Sequence, residues 1–75
     1  MPNTNNVYRG SVLFFYPRRL WGFIRSDELA EDAFLHHEDF NDQNALPYIR
    51  QHQTLQFKVI ETPKGLKAIE IEEIQ

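Results

Sequence analysis

Hydrophobic and polar residues alternate over short stretches of this chain, and no stretch of ordinary helix length repeats apolar residues at the helical period. Residues 7–16 are rich in Val, Leu, Phe and Tyr and predict a first strand. Pro17 ends it, because proline has no N–H for a strand ladder. Arg18 and Arg19 then fall in a tight connection. Residues 20–26 read as a second strand, residues 27–32 as an acidic loop and residues 33–37 as a third strand, followed by a helical turn over residues 38–40. Residues 41–53 predict a long polar connection with weak internal order. Residues 54–62 form a fourth strand, Pro63-Lys64-Gly65 a turn, and residues 66–74 a fifth strand of clean alternation. Residues 1–6 are polar and read as a disordered tail, without the basic and apolar regions of a signal peptide. Residues 7–75 then make one domain.

Five short strands in 75 residues suit a small closed barrel, since closure removes exposed strand edges. The expectation is an all-β, five-stranded antiparallel Greek-key barrel. Side chains alternate between the faces of a strand. In the second strand Trp21, Phe23 and Arg25 share one face and Gly22 and Ile24 the other. In the third, Phe34 and His36 oppose Ala33 and Leu35. Small and aliphatic residues suit a tight interior, and Val12, Ile24 and Leu35 are assigned to it. A barrel has only one interior, so the rings on the opposite face stay exposed unless the 41–53 connection folds over them. An exposed aromatic patch implies a ligand.

Charge sharpens this picture. The formal net charge is −3, but it is segregated. Residues 1–26 carry Arg9, Arg18, Arg19 and Arg25 and no acid. Residues 27–42 carry Asp27, Glu28, Glu31, Asp32, Glu38, Asp39 and Asp42 and no base. The basic first third also holds Phe14, Phe15, Tyr16, Trp21 and Phe23, half of the aromatic residues of the chain. Rings interleaved with cations suit a surface that stacks bases and contacts phosphates.

These residues resemble the cold-shock domain, a version of the oligonucleotide-binding barrel. Gly10-Ser11-Val12-Leu13-Phe14-Phe15 is similar to the family's first strand. Arg19-Leu20-Trp21-Gly22-Phe23-Ile24 is similar to its first ribonucleoprotein motif and Asp32-Ala33-Phe34-Leu35-His36-His37 to its second, at the family's own spacing. Residues 55–59 and 63–68 look like the last two strands and their turn. The resemblance spans residues 9–74 and implies a non-enzymatic binder of single-stranded RNA or DNA, with an RNA-chaperone role. By position it implies base stacking on Phe14, Trp21, Phe23, Phe34 and His36, and Arg19 stands for a lysine. Tyr16 adds a ring and His37 replaces one with a titratable group. Arg18 and Arg25 flank the face, and Tyr48 is the candidate for a ring from the 41–53 connection. Leu13 stands for a lysine and Leu20 for a glycine.

Other chemistries find little footing. Cysteine is absent, so disulfides, thiolate catalysis and sulfur-ligated metals are excluded. His36, His37 and His52 could suggest a metal, but neighbours on a strand point to opposite faces, so no metal is expected. Asp27-Glu28 and Glu31-Asp32 lack the spacing and glycine of a calcium loop. Ser11 and Ser26 sit in no nucleophile motif, and no catalytic residue or cofactor is assigned. The longest uncharged apolar run, residues 10–17, is too short to span a membrane. A cytoplasmic monomer is expected. The alternative to nucleic-acid binding is a protein-interaction module that uses the same rings.

Overall fold

In a computed structural model describing residues 6–74, the chain folds as strands β1 (Tyr8–Tyr16), β2 (Trp21–Arg25), β3 (Ala33–His36), β4 (Thr54–Thr62) and β5 (Gly65–Glu73), with 3-10 helices at His37–Asp39 and Gln43–Tyr48. Residues 1–5 of the expected tail lie outside the described residues. The strands close into a barrel in the order β1-β2-β3-β5-β4. Four of the pairings are antiparallel; β3 and β5 run parallel, with Ala33 opposite Leu66 and Phe34 opposite Lys67.

The inward residues follow from strand alternation. Val12, Ile24, Leu35, Leu55, Val59 and Ile71 are fully shielded from solvent, and with buried Phe15, Phe40 and Phe57 they make a packed apolar core. Its tightness shows at Gly22, where a Cβ would lie 2.1 Å from the Phe14 carbonyl oxygen and 2.7 Å from the Phe15 Cα. Only glycine lets β1 and β2 approach this closely.

Two bulges reset the alternation. Between Val12 and Phe14 the register of β1 against β2 slips, so Leu13 has no residue opposite it. Val12 and Phe15 therefore both point inward, and Phe14 and Tyr16 turn outward. In β5 the expected clean alternation does not hold. Gln56 faces Glu72 but Lys58 faces Ile69, so β5 carries one extra residue there. Glu70 takes a positive φ of 48° in that stretch, and both Ala68 and Ile71 reach the core while Ile69 stays at its edge.

The connection over residues 41–53 is more ordered than its polar composition suggests. Asp42 caps the second 3-10 helix by accepting the Asn44 amide at 2.9 Å. Ala45, Leu46 and Ile49 are buried and join the core cluster, and Phe40 meets Phe15 edge-on at 5.7 Å. The segment places its apolar residues in the core and leaves the outer rings of β1–β3 uncovered.

Candidate nucleic-acid interface

The outer face of β1–β3 is a continuous field of rings. Cross-strand register sets Tyr16 opposite Trp21, Phe14 opposite Phe23, Phe23 opposite Phe34, and Trp21 opposite His36. The bulge at Leu13 makes the Phe14–Phe23 pair possible, since without it Phe14 would point inward. Centroids of neighbouring rings lie 5.0 Å apart for Tyr16–Trp21, 5.7 Å for Phe14–Phe23, 5.6 Å for Phe23–Phe34 and 6.0 Å for Phe34–His36. The interplanar angles run from tilted to edge-on. Such contacts steady each ring, at about 0.5–1.5 kcal/mol per pair, and leave part of its face free. Phe14, Trp21, Phe23, Phe34 and His36 are all half-buried, and Tyr16 at the edge is 45% exposed.

Arg18 and Arg19 are exposed in the β1–β2 turn, beside Tyr16 and Trp21. The turn is closed at the Tyr16 carbonyl, which accepts from the Leu20 amide at 2.6 Å and from the Arg19 amide at 3.1 Å. Leu20 holds a φ of 65°, a left-handed conformation that strains any residue with a Cβ by roughly 1–2 kcal/mol. The turn thus keeps the shape a glycine would give it. The Leu20 carbonyl accepts the His37 amide at 3.0 Å and ties the turn to the end of β3.

Three candidate residues are placed differently from the central rings. Arg25 is exposed, but Asp32 takes its guanidinium through hydrogen bonds of 3.0 and 3.5 Å. That hydrogen bonding, and then the carboxylate's charge, raises the Arg25 pKa further above its ordinary value. His37 lies just outside β3, in the first 3-10 turn, with its ring 4.5 Å from that of His36. The two imidazoles are side by side, which corrects the expectation that they point apart: the strand ends at His36. Tyr48 is 67% exposed and borders a separate hollow with Arg50, His52 and Glu73, away from the ring field.

The sequence reading missed two cations. A groove on the same face is lined by Trp21, Phe23 and Phe34 on one side and by Thr62, Lys64 and Lys67 on the other. Lys64 is exposed in the β4–β5 turn. Lys67 sits directly across from Phe34 and pairs with Asp39 at 3.2 Å, which compensates a buried carboxylate oxygen that has no hydrogen bond. The signal lay in the parallel β3–β5 pairing, which sequence alternation does not reveal.

A closed five-stranded barrel with an uncovered aromatic face and cations at its rim is a barrel of the oligonucleotide-binding class. The description of the 'Cold-shock' DNA-binding domain matches residues 8–74. The chain is 34% identical over 65 residues to the cold shock-like protein CspA of Stigmatella aurantiaca, covering 87% of this chain and 94% of that one. It is 32% identical over 65 residues to Y-box-binding protein 1 of Xenopus laevis and to Y-box-binding protein 3 of Homo sapiens, covering 83% of this chain but only 22% and 18% of theirs. The chain belongs to the cold-shock domain family.

Proposed function

We propose that this protein binds single-stranded RNA or DNA, with no chemical step, by stacking bases on the outer rings of β1–β3. Proteins of the cold-shock domain family bind nucleic acid and are not enzymes. The observation that carries the reading is the uncovered ring field running from Tyr16 through Trp21 and Phe34 to His36. Phe14, Trp21, Phe23, Phe34 and His36 offer faces to bases, and Tyr16 extends the platform at its edge. Arg18, Arg19 and Lys64 lie along the rim, where phosphates would pass. Arg25 contributes less, because any phosphate must compete with Asp32.

Stacking is worth about 1–3 kcal/mol per base. A duplex step is worth about 1.4 kcal/mol on average. Three or four stacked bases therefore offset a comparable length of pairing, which supports a role in keeping RNA unpaired. The closed barrel satisfies its own strand edges, so the protein acts as a monomer in this reading.

Trp21 is the sole tryptophan and sits within the ring field, so its fluorescence reports directly on the face. Titration with a short unstructured oligonucleotide at low salt should quench it to saturation at one site per protein. An unchanged signal at high micromolar oligonucleotide would overturn the proposal and favour the protein-interaction reading of the rings.

A further inference from the structure

The end of β3 brings together three side chains that each offer a metal-ligating atom. β3 stops at His36, the next residue enters a 3-10 turn, and the change of backbone direction swings the His37 ring beside that of His36, 4.5 Å away. Ligating atoms of His36, His37 and Glu38 all lie within 4.8 Å of one another. We propose that these three side chains form a site for one divalent transition-metal ion of the zinc, nickel and copper group.

The donor set fits that group. Two imidazoles and one carboxylate favour zinc, nickel and copper over magnesium or calcium, which take all-oxygen sites. Three protein ligands around a tetrahedral ion leave the fourth position to water. Metal–ligand bonds of roughly 2.0–2.2 Å place tetrahedral donors about 3.3–3.5 Å apart. Closing from 4.8 Å is a matter of side-chain rotation, and Glu38, the ligand with the longest reach, is exposed.

The backbone beneath the ligands is held. The His37 amide donates to the Leu20 carbonyl at 3.0 Å, and the His37 carbonyl accepts from the Gln43 side chain at 2.8 Å. Within the cluster, the Glu38 amide approaches His36 Nδ1 at 3.4 Å, a long contact that binding through that nitrogen would displace at little loss. Asp39, the next acid, is committed to Lys67 and does not compete for the ion.

The test uses the whole protein and metal alone. Calorimetric titration with Zn²⁺ should show one ion per chain, and Cu²⁺ at one equivalent should quench Trp21, which lies opposite His36. His37→Phe keeps a ring and removes a ligand, and His36→Ala removes the other imidazole. Each should weaken Zn²⁺ binding at least about tenfold, since losing even an outer partner of a ligating histidine costs 10–100-fold. Glu38→Gln should weaken it less than either. His52→Asn removes the third histidine, which lies outside the cluster beside Tyr48 and Arg50, at a left-handed position that asparagine tolerates, and should change nothing. Zn²⁺ binding that survives His36→Ala and His37→Phe, that is lost with His52→Asn, or that never saturates at one equivalent would overturn the proposal. The titration contains no nucleic acid, so the base-stacking assignment stands or falls separately.

Discussion

The two halves of the barrel obey the same rule inside and opposite rules outside. On β1–β3 and on β4–β5 alike, the inward positions are apolar: Val12, Phe15, Ile24 and Leu35 in one half, Leu55, Phe57, Val59 and Ala68 in the other. Outward, β4–β5 present Gln56, Lys58, Ile60, Ile69, Glu70 and Glu72, with Lys58 and Glu70 paired at 3.4 Å. That surface is mostly polar or charged and carries no aromatic ring. On β1–β3 the same outward positions carry Phe14, Tyr16, Trp21, Phe23, Phe34 and His36. These rings face away from the core, and an outward apolar patch on a small protein marks a ligand site.

If this comparison holds, substitutions inside and outside should separate cleanly. The largest effect belongs to Gly22→Ala, whose methyl would meet the β1 backbone at 2.1 Å. A clash with backbone has no cheap relief, and we expect loss of cooperative folding by circular dichroism at 25 °C. Next comes Leu35→Ala, which leaves a cavity in the core and should lower stability by about 2–5 kcal/mol. A melting temperature unchanged by Leu35→Ala would mean that the faces are assigned the wrong way round.

Phe34→Ala acts on the other face. It should weaken oligonucleotide binding by about 1–3 kcal/mol, read from Trp21 fluorescence. Its melting temperature should fall far less than that of Leu35→Ala, because the ring is only half-buried and loses contacts with Trp21, Phe23 and His36 alone among the rings. Smallest is Arg19→Ala. At a fixed moderate salt concentration it changes affinity modestly, but it should flatten the slope of log K against log salt by about 0.7, the value for one phosphate contact on a single strand. Arg25→Ala should flatten it less, since Asp32 already neutralises that guanidinium.

How much of this was legible beforehand depended on the type of residue pattern. Trp21 and Phe23 against Gly22 and Ile24, and Phe34 and His36 against Ala33 and Leu35, alternate without interruption, and the structure places all of them as alternation predicts. Phe14 was assigned outward only through the family resemblance. Alternation counted from Val12 would have put it inside, and the bulge at Leu13 has no local sequence signature. The extra residue near Glu70 escaped for the same reason. The helix at Gln43–Tyr48 was missed because it is too short for a helical period to show, and because Pro47 inside it reads as a breaker. Lys67 reaches the site through the parallel pairing of β3 with β5, a tertiary fact that no window of sequence contains. The His36–His37 contact was misjudged because the strand was extended one residue too far.

The difference between the two halves can be read in one measurement. Backbone amide shifts of the labelled protein, followed while a short single-stranded oligonucleotide is added, report both outer faces in the same sample. The account predicts large shifts at Phe14, Trp21, Phe23, Phe34 and His36, smaller ones at Arg19 and Lys64, and none beyond error at Gln56, Lys58 and Glu72. Shifts concentrated on the outer face of β4–β5, or spread equally over both halves, would contradict it.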